Sequence, residues 1–136
     1  MPVQVKIKDA IVKRIVSADG QESAKRGAEL MIEHEVGSIL VTKDGKYVGI
    51  VTEKDILGKV FLPGLDSEKT FLEEIMNSPL VTIRSDQTLG EAALLMLRRR
   101  IRRLPVVEDE KIVGMITEGD LDRATLDAMM LLSGGF

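Results

Sequence analysis

Two short segments of the chain each combine a hydroxyl with a carboxylate three residues later. Thr52 and Asp55 stand in "GIVTEKDIL", and Thr117 and Asp120 stand in "GMITEGDLD". A Thr-x-x-Asp pattern is typical of a capping box at a helix N-terminus, which needs no ligand. The same place on a helix also offers free N–H groups and the positive end of the dipole to an anion. Both segments therefore predict helix starts that either cap themselves or bind a negatively charged ligand.

The two segments belong to a duplication with a spacing of 65 residues. Residues 7–57 align with residues 72–122 without a gap, and twelve positions are identical. Each copy predicts the order strand, helix, strand, strand, helix, so we expect an α/β (α+β) fold of two pseudo-twofold related repeats. Residues 58–71 are predicted to be a linker, residues 123–136 a helical tail, and residues 1–136 a single module.

Local signals place several elements within the repeats. Residues 80–83 alternate as a short strand, and the following helix is predicted to begin at Thr88, which forms a capping-box pattern with Glu91. Tight turns are predicted at residues 109–110 and 44–45, between two strands of each repeat. These elements must bring the Thr-x-x-Asp segments to the end of a strand and the start of a helix.

Composition limits the kinds of site that the chain can carry. It has no cysteine, a single histidine, His34, and a net charge of -3, so we expect no thiolate nucleophile, no metal site and no general attraction to nucleic acid. We expect His34 to lie in a helix or at its end. No nucleophile-base pair or phosphate loop of the Walker type is present, so we expect no enzyme, no catalytic residue and no catalytic cofactor. The charged N-terminus and the absence of a long apolar run predict a cytoplasmic protein without a membrane span.

The chemistry of the two segments suits an adenosine phosphate. The hydroxyl and the helix amides would bind phosphate, the carboxylate would bind the two ribose hydroxyls, and aliphatic side chains would hold the base. The strand before each motif carries a glycine, Gly49 or Gly114, that allows close backbone approach.

The same segments, together with "RRLPVV" at residues 102–107 and "NSPLVTI" at residues 77–83, resemble the cystathionine-beta-synthase (CBS) domain. The resemblance covers residues 7–122 and is to the tandem arrangement called a Bateman module. It implies a regulatory module that binds AMP, ADP, ATP or another adenosyl compound in clefts between the repeats. It also implies that an effector protein, which the sequence does not identify, responds to the ligand. The chain is expected to form a homodimer. The apolar tail with Leu126, Met129 and Met130 is predicted either to join the core or to cover a partner subunit.

By this resemblance, Asp55 and Asp120 hold ribose, and Thr52 and Thr117 hold phosphate. The first strand of the opposite repeat and the start of the second strand line the rest of each cleft. The remaining residues that the resemblance assigns to the clefts are Val16, Ser17, Val36, Gly37, Ser38, Lys54, Val81, Thr82, Ile101, Arg102 and Arg103.

The two clefts are not expected to be equal. Arg102 and Arg103 accompany the second motif, whereas Gly37 and Ser38 stand at the matching positions of the first repeat. More positive charge predicts tighter phosphate binding in the cleft of Asp120. Against this, the first motif contains a lysine where the second has a glycine.

The sequence is also compatible with two alternative functions. The first is an association scaffold that binds nothing small. The second is nucleic-acid binding through the run Arg98 to Arg103, but basic residues also belong at helix C-termini, and the net charge and the scarcity of aromatic residues disfavour this function.

Overall fold

The computed structural model describes residues 5–10 and 15–124. The chain divides into two compact units, which we call the first unit (residues 15–80) and the second unit (residues 1–14 and 81–136). The helices are α1 (Ile7–Ala10), α2 (Ala24–His34), α3 (Glu53–Asp55), α4 (Leu72–Ile75) and α5 (Leu89–Arg99), with a π-helix at Ile56–Phe61 and helical residues at 118–124. The strands are β1 (Ser17–Asp19), β2 (Ser38–Lys43), β3 (Lys46–Thr52), β4 (Ile83–Arg84), β5 (Arg103–Glu108) and β6 (Lys111–Thr117).

The first unit is built on a three-stranded sheet of order β1-β2-β3. Strand β1 runs parallel to β2, and β2 runs antiparallel to β3. Helix α2 follows β1, begins at the N-cap Ser23 and ends at Glu35 in the left-handed conformation. The buried core residues of this unit are Ala24, Met31, Ile39, Val41, Val51, Val60, Leu72 and Ile75. Aliphatic side chains therefore close the core without an aromatic residue.

The second unit repeats this architecture with a sheet of order β4-β5-β6. Strand β4 is parallel to β5, and β5 is antiparallel to β6. Its buried core residues are Ile7, Ile83, Leu89, Ala92, Met96, Leu104, Val106 and Ile116. The α/β class and the order strand, helix, strand, strand, helix are therefore confirmed for both copies.

Most of the local predictions are confirmed. Helix α5 begins after Thr88, whose hydroxyl accepts a hydrogen bond from the Glu91 backbone N–H while the Glu91 carboxylate accepts one from Thr88 N–H. Both predicted turns have positive φ at each of their two residues, including the non-glycine residues Asp109 (50°) and Glu110 (65°). This conformation matches the twist of the flanking strands, as expected for a two-residue hairpin.

The predicted strand at residues 80–83 is wrong in its extent, because only Ile83 and Arg84 form β4. In the first repeat, the N–H of Leu40 donates to the carbonyl of Val16 at 2.9 Å and ties the start of β1 to β2. The position that matches Leu40 is Pro105, which has no N–H to donate to Val81. The second repeat therefore lacks this bond and its first strand starts later.

The compact units do not coincide with the sequence repeats. Ile7 and Leu72 occupy matching positions, and both are fully buried, but Ile7 belongs to the core of the second unit and Leu72 to the core of the first. Their backbone N–H groups also make matching bonds, to Gln87 O (2.8 Å) and to Glu22 O (2.9 Å). The first residues of each repeat, which include Ile7 and Leu72, thus pack in the core that the other repeat forms.

The range predicted as a linker, residues 58–71, is partly structured. The π-helix extends through Phe61, and Val60 is buried in the first core.

His34 is exposed as the last residue of α2. The tail residues Leu126, Met129 and Met130 lie outside the described residues. Within residues 5–10 and 15–124, no helix is long and apolar enough to cross a membrane, and no cluster of acidic, histidine or cysteine side chains could hold a metal ion.

Candidate functional site

The motif of the first unit is a closed capping box at the start of α3. The Thr52 hydroxyl accepts a hydrogen bond from Asp55 N–H at 3.3 Å, and the Asp55 carboxylate accepts from Thr52 N–H at 2.8 Å. The capping interpretation of Thr-x-x-Asp is therefore confirmed here. The box fixes the Asp55 carboxylate at the junction between β3 and α3.

Two further residues reach the Asp55 carboxylate. Asn77 donates from Nδ2 to Asp55 Oδ2 at 2.8 Å, and Lys59 Nζ lies 3.1 Å from Oδ1. Lys59 also donates to the carbonyl of Ile75 at 2.9 Å. Both oxygens of this nearly buried carboxylate thus have partners within the protein, and a ligand hydroxyl would compete with Asn77 and Lys59.

The motif of the second unit forms the same two capping bonds. Thr117 N–H donates to Asp120 Oδ2 at 2.9 Å, and Asp120 N–H donates to the Thr117 hydroxyl at 3.2 Å. The guanidinium of Arg123 donates to Asp120 Oδ1. Asp120 is only 1% exposed, whereas the Arg123 side chain is largely exposed. A guanidinium therefore lies at this motif, beside the buried carboxylate.

Each sheet gathers its predicted site residues at one end. In the first unit, parallel strands β1 and β2 start at the end where antiparallel β3 finishes, so Ser17, Ser38 and Thr52 lie at the same end. Ser38 is the direct partner of Thr52 in the β2–β3 ladder, and Gly37 O accepts a hydrogen bond from Glu53 N–H at 3.1 Å. The starts of β1 and β2 are therefore close in space to the motif that begins at Thr52.

The second unit brings arginines to the matching end of its sheet. Arg103 is the ladder partner of Thr117, and the carbonyl of Arg102 accepts a hydrogen bond from Glu118 N–H at 2.8 Å. The exposed Arg102 side chain lies 3.7 Å from the Glu118 carboxylate, measured from Nε. This end of the second sheet thus combines a hydroxyl, a helix start and nearby guanidinium groups, which suits a phosphate.

The other predicted residues lie close to these two ends. Val16 lies one residue before β1, and Val36 lies two residues before β2. In the second unit, Val81 and Thr82 precede β4, and Ile101 precedes β5. Lys54 is exposed in α3. The roles in holding ribose, phosphate and base stay predictions, as does the assignment of Val16, Ser17, Val81 and Thr82 to the cleft of the opposite repeat.

Sequence reasoning missed three residues that touch the motif carboxylates. Lys59 and Arg123 follow Asp55 and Asp120 by four and three positions, a spacing that brings side chains together on a helix and could have identified them. Asn77 is 22 residues away from Asp55, and no local pattern links the two.

Residues 76 and 77 of the same chain, and not a ligand, pack closely against Gly49. A Cβ at this position would lie 2.5 Å from Met76 Sδ and 3.0 Å from the carbonyl oxygen of Asn77. Asn77 also exchanges two backbone hydrogen bonds with Ile50, at 2.8 and 3.1 Å. The close approach that Gly49 permits is therefore made by the chain itself. Gly114 is buried in β6.

We expect Gly49→Ala to lower the free energy of unfolding by about 1–3 kcal/mol, because overpacking displaces Met76 and the backbone at Asn77. Urea unfolding followed by circular dichroism measures the change. Gly58→Ala is the matched control, since a Cβ there meets nothing within 4 Å, and its stability should be unchanged or higher. An equal loss in both variants would contradict the steric explanation.

The CBS domain family model matches residues 7–61 and 72–127. An uncharacterized protein of Methanopyrus kandleri is 31% identical over 119 residues, which cover 86% of this chain and 61% of that protein. The CBS domain-containing protein YhcV of Bacillus subtilis is 32% identical over 115 residues, covering 85% of this chain and 81% of YhcV. The chain thus spans less than two thirds of the Methanopyrus protein but most of YhcV.

Solved structures share the fold. A conserved protein of Pyrococcus horikoshii has a TM-score of 0.85 and 34% identity, with 92% of this chain and 95% of that chain covered. The CBS domain pair of protein MJ0100, in complex with 5'-methylthioadenosine and S-adenosyl-L-methionine, has a TM-score of 0.80 and 28% identity, covering 91% and 98%. A hexameric CBS-CP12 protein from bloom-forming cyanobacteria has a TM-score of 0.82 and 27% identity, covering 90% and 73%. With two matched repeats over most of its length and this shared architecture, the chain belongs to the CBS domain family as a tandem pair.

Proposed function

We propose that this chain is a regulatory module that binds an adenine nucleotide, AMP, ADP or ATP, and controls a partner protein. The observation that carries the proposal is the gathering of Thr117, Arg102 and Arg103 at one end of the second sheet, beside the Asp120 carboxylate. The adenosyl compounds bound by the MJ0100 pair, which has the same fold, support an adenosyl ligand in general.

The second motif is proposed as the tighter site. Arg102 and Arg103 lie at the end of the second sheet that carries this motif, where the first unit has Gly37 and Ser38. Guanidinium groups form strong, charge-assisted hydrogen bonds with phosphate. Both motif carboxylates have partners within the protein, Asn77 and Lys59 at Asp55 and the Arg123 guanidinium at Asp120, so a ribose would compete with such a group at either site. The two additional arginines therefore favour the Asp120 site.

The module acts by binding and not by catalysis. Nucleotide binding shifts the population of its conformations, and a separate effector responds to the favoured one. We propose that it works in the cytoplasm and as a homodimer; the hexameric CBS-CP12 protein supports self-association of this fold in general.

Thermal unfolding with added nucleotide tests the proposal. At a ligand concentration about one hundred times the dissociation constant, we expect the native state to gain about 2.7 kcal/mol, and the melting temperature to rise by several degrees. AMP, ADP, ATP and S-adenosyl-L-methionine should be compared at equal concentrations, with inorganic phosphate and GMP as controls for the phosphate and for the base.

The pattern of melting-temperature changes across these compounds decides between the proposed functions. A rise with adenine nucleotides and none with GMP or phosphate supports the proposed function. A rise with S-adenosyl-L-methionine alone retains an adenosyl ligand but excludes the nucleotide. No shift with any compound at millimolar concentration contradicts the sensor function and favours the association scaffold.

A further inference from the structure

The ammonium group of Lys59 lies among three oxygen atoms of the first unit. Its Nζ is 3.1 Å from Asp55 Oδ1, 2.9 Å from the carbonyl oxygen of Ile75 and 3.3 Å from Asn77 Oδ1. An ammonium group has three N–H donors, so the number of oxygen atoms matches the number of donors. These contacts hold the end of the side chain in one place, although the side chain as a whole is 44% exposed.

Asn77 closes the contact between Lys59 and Asp55 into a ring. Its amide Nδ2 donates to Asp55 Oδ2 at 2.8 Å and to the carbonyl of Ile50 at 3.3 Å, while its Oδ1 accepts from Lys59. The backbone of Asn77 also exchanges two hydrogen bonds with Ile50. Asp55, Lys59 and Asn77 thus form one connected group, which we call the Asp55 cluster. It attaches residues 75–77 both to β3 and to the π-helix.

The sequence of the second motif does not provide the same group. Ala124 stands at the position that matches Lys59, and Val12 stands at the position that matches Asn77. Neither residue type has a polar atom in its side chain. The Arg123 guanidinium reaches the carboxylate of the second motif from the same helical segment. In contrast, Asn77 joins the first motif to a segment that is 22 residues away along the chain.

The Asp55 carboxylate is buried, which gives its partners their importance. A carboxylate that loses its hydration needs an opposite charge or hydrogen bonds in exchange. Here Lys59 supplies the charge, and the side chain of Asn77 supplies a hydrogen bond. A ribose hydroxyl can bind Asp55 only by replacing one of these partners, so the free energy of the lost contact is subtracted from that of binding.

We propose that Lys59 and Asn77 set the nucleotide affinity of the first motif, and that a nucleotide bound there releases residues 75–77 from β3. This inference rests on the proposed function, because it needs a ribose that competes for Asp55. The first unit ends at Leu80, shortly after this segment, and the chain then enters the second unit. Release of residues 75–77 therefore transmits binding at Asp55 to the connection between the units.

The variant Lys59→Met tests the first part of the proposal. Methionine keeps an unbranched aliphatic side chain and removes the charge that competes with the ribose. Titration with AMP, followed by heteronuclear NMR, reads the two motifs separately at the backbone amides of Asp55 and Asp120. We expect the dissociation constant read at Asp55 to fall by about tenfold, the size of one charge-assisted contact. The value read at Asp120 should change by less than about twofold, because the substitution lies in the other motif's cluster.

Lys69→Met is the matched control, because it removes the same charge from an exposed lysine of the first unit. The Lys69 side chain makes no ion pair or hydrogen bond within the described residues. We expect its affinities to equal those of the wild type. An equal gain in both variants would mean that net charge sets the affinity, which overturns the proposal. A weaker affinity at Asp55 in Lys59→Met, or no response at Asp55 in any variant, overturns it as well.

Amide hydrogen exchange tests the release of residues 75–77. The amides to follow are those of Ile50 and Asn77, which donate to each other's carbonyls at 3.1 and 2.8 Å. We expect Lys59→Met without ligand, and the wild type saturated with AMP, each to speed exchange at both amides by about threefold or more. Lys69→Met should leave both rates unchanged.

The exchange rates separate this proposal from the sensor function. Unchanged rates in ligand-free Lys59→Met overturn the role of the Asp55 cluster in holding the segment, whatever the ligand. Unchanged rates in wild type with AMP bound overturn the coupling, while the sensor function stands. If the thermal shift shows that no nucleotide binds, the sensor function is contradicted and this proposal falls with it.

Discussion

Replacing Asp120 with asparagine is expected to weaken AMP binding by about 10- to 100-fold, because a hydrogen bond to a charged group contributes about 1.5–3 kcal/mol. Asparagine keeps the side-chain volume and one oxygen that can accept from Thr117 N–H. It removes the negative charge proposed to bind the ribose hydroxyls. Isothermal titration calorimetry with AMP measures the loss.

Asp55→Asn is the matched control, since it makes the same chemical change in the other motif. Because Asp55 belongs to the other motif, we expect its variant to lose less than about threefold in affinity at the stronger site. Circular dichroism and urea unfolding establish that both variants are folded. A larger loss in Asp55→Asn than in Asp120→Asn would reverse the assignment of the tighter site, and no loss in either would remove the carboxylates from ribose binding.

Replacing Ile7 with alanine is expected to lower the free energy of unfolding by about 2–5 kcal/mol, the usual cost of removing a large aliphatic side chain from a core. Ile7 is fully buried and packs in the core of the second unit, although it lies at the start of the first repeat. The measurement is urea unfolding. Leu72→Ala, at the matching position, should cost a similar amount through the core of the first unit.

The control for Ile7 is Val5, which is 39% exposed and whose carbonyl accepts a hydrogen bond from Leu89 N–H. Val5→Ala keeps that backbone bond, so we expect a loss below about 1 kcal/mol. A small effect at Ile7, similar to that at Val5, would show that the leading segment does not close the second core.

The positions of Ile7 and Leu72 in the two cores have a consequence for the module as a whole. Since each repeat places its leading segment in the other core, neither repeat alone contains all the residues that fill a core. A fragment limited to residues 7–57 would lack Leu72 and Ile75, both of which are buried in the first core. This explains in physical terms why the repeat occurs as a pair.

Much of the fold could be predicted from the sequence because its signals are local. The 65-residue duplication, the capping box at Thr88 and the turns at residues 44–45 and 109–110 each depend on residues within a few positions of one another. The Thr-x-x-Asp motifs belong to this class, and both form the capping bonds that their spacing predicts. The sequence by itself determined these elements, their order and the family.

Tertiary structure alone decided which distant groups meet these elements. Asn77 reaches Asp55 across 22 residues, and its neighbour Met76 fills the space that Gly49 leaves open. The core that receives Ile7 is likewise formed by residues far along the chain. Such contacts depend on how complete elements pack and which polar groups remain to be satisfied, and neither quantity is encoded in a short window of sequence.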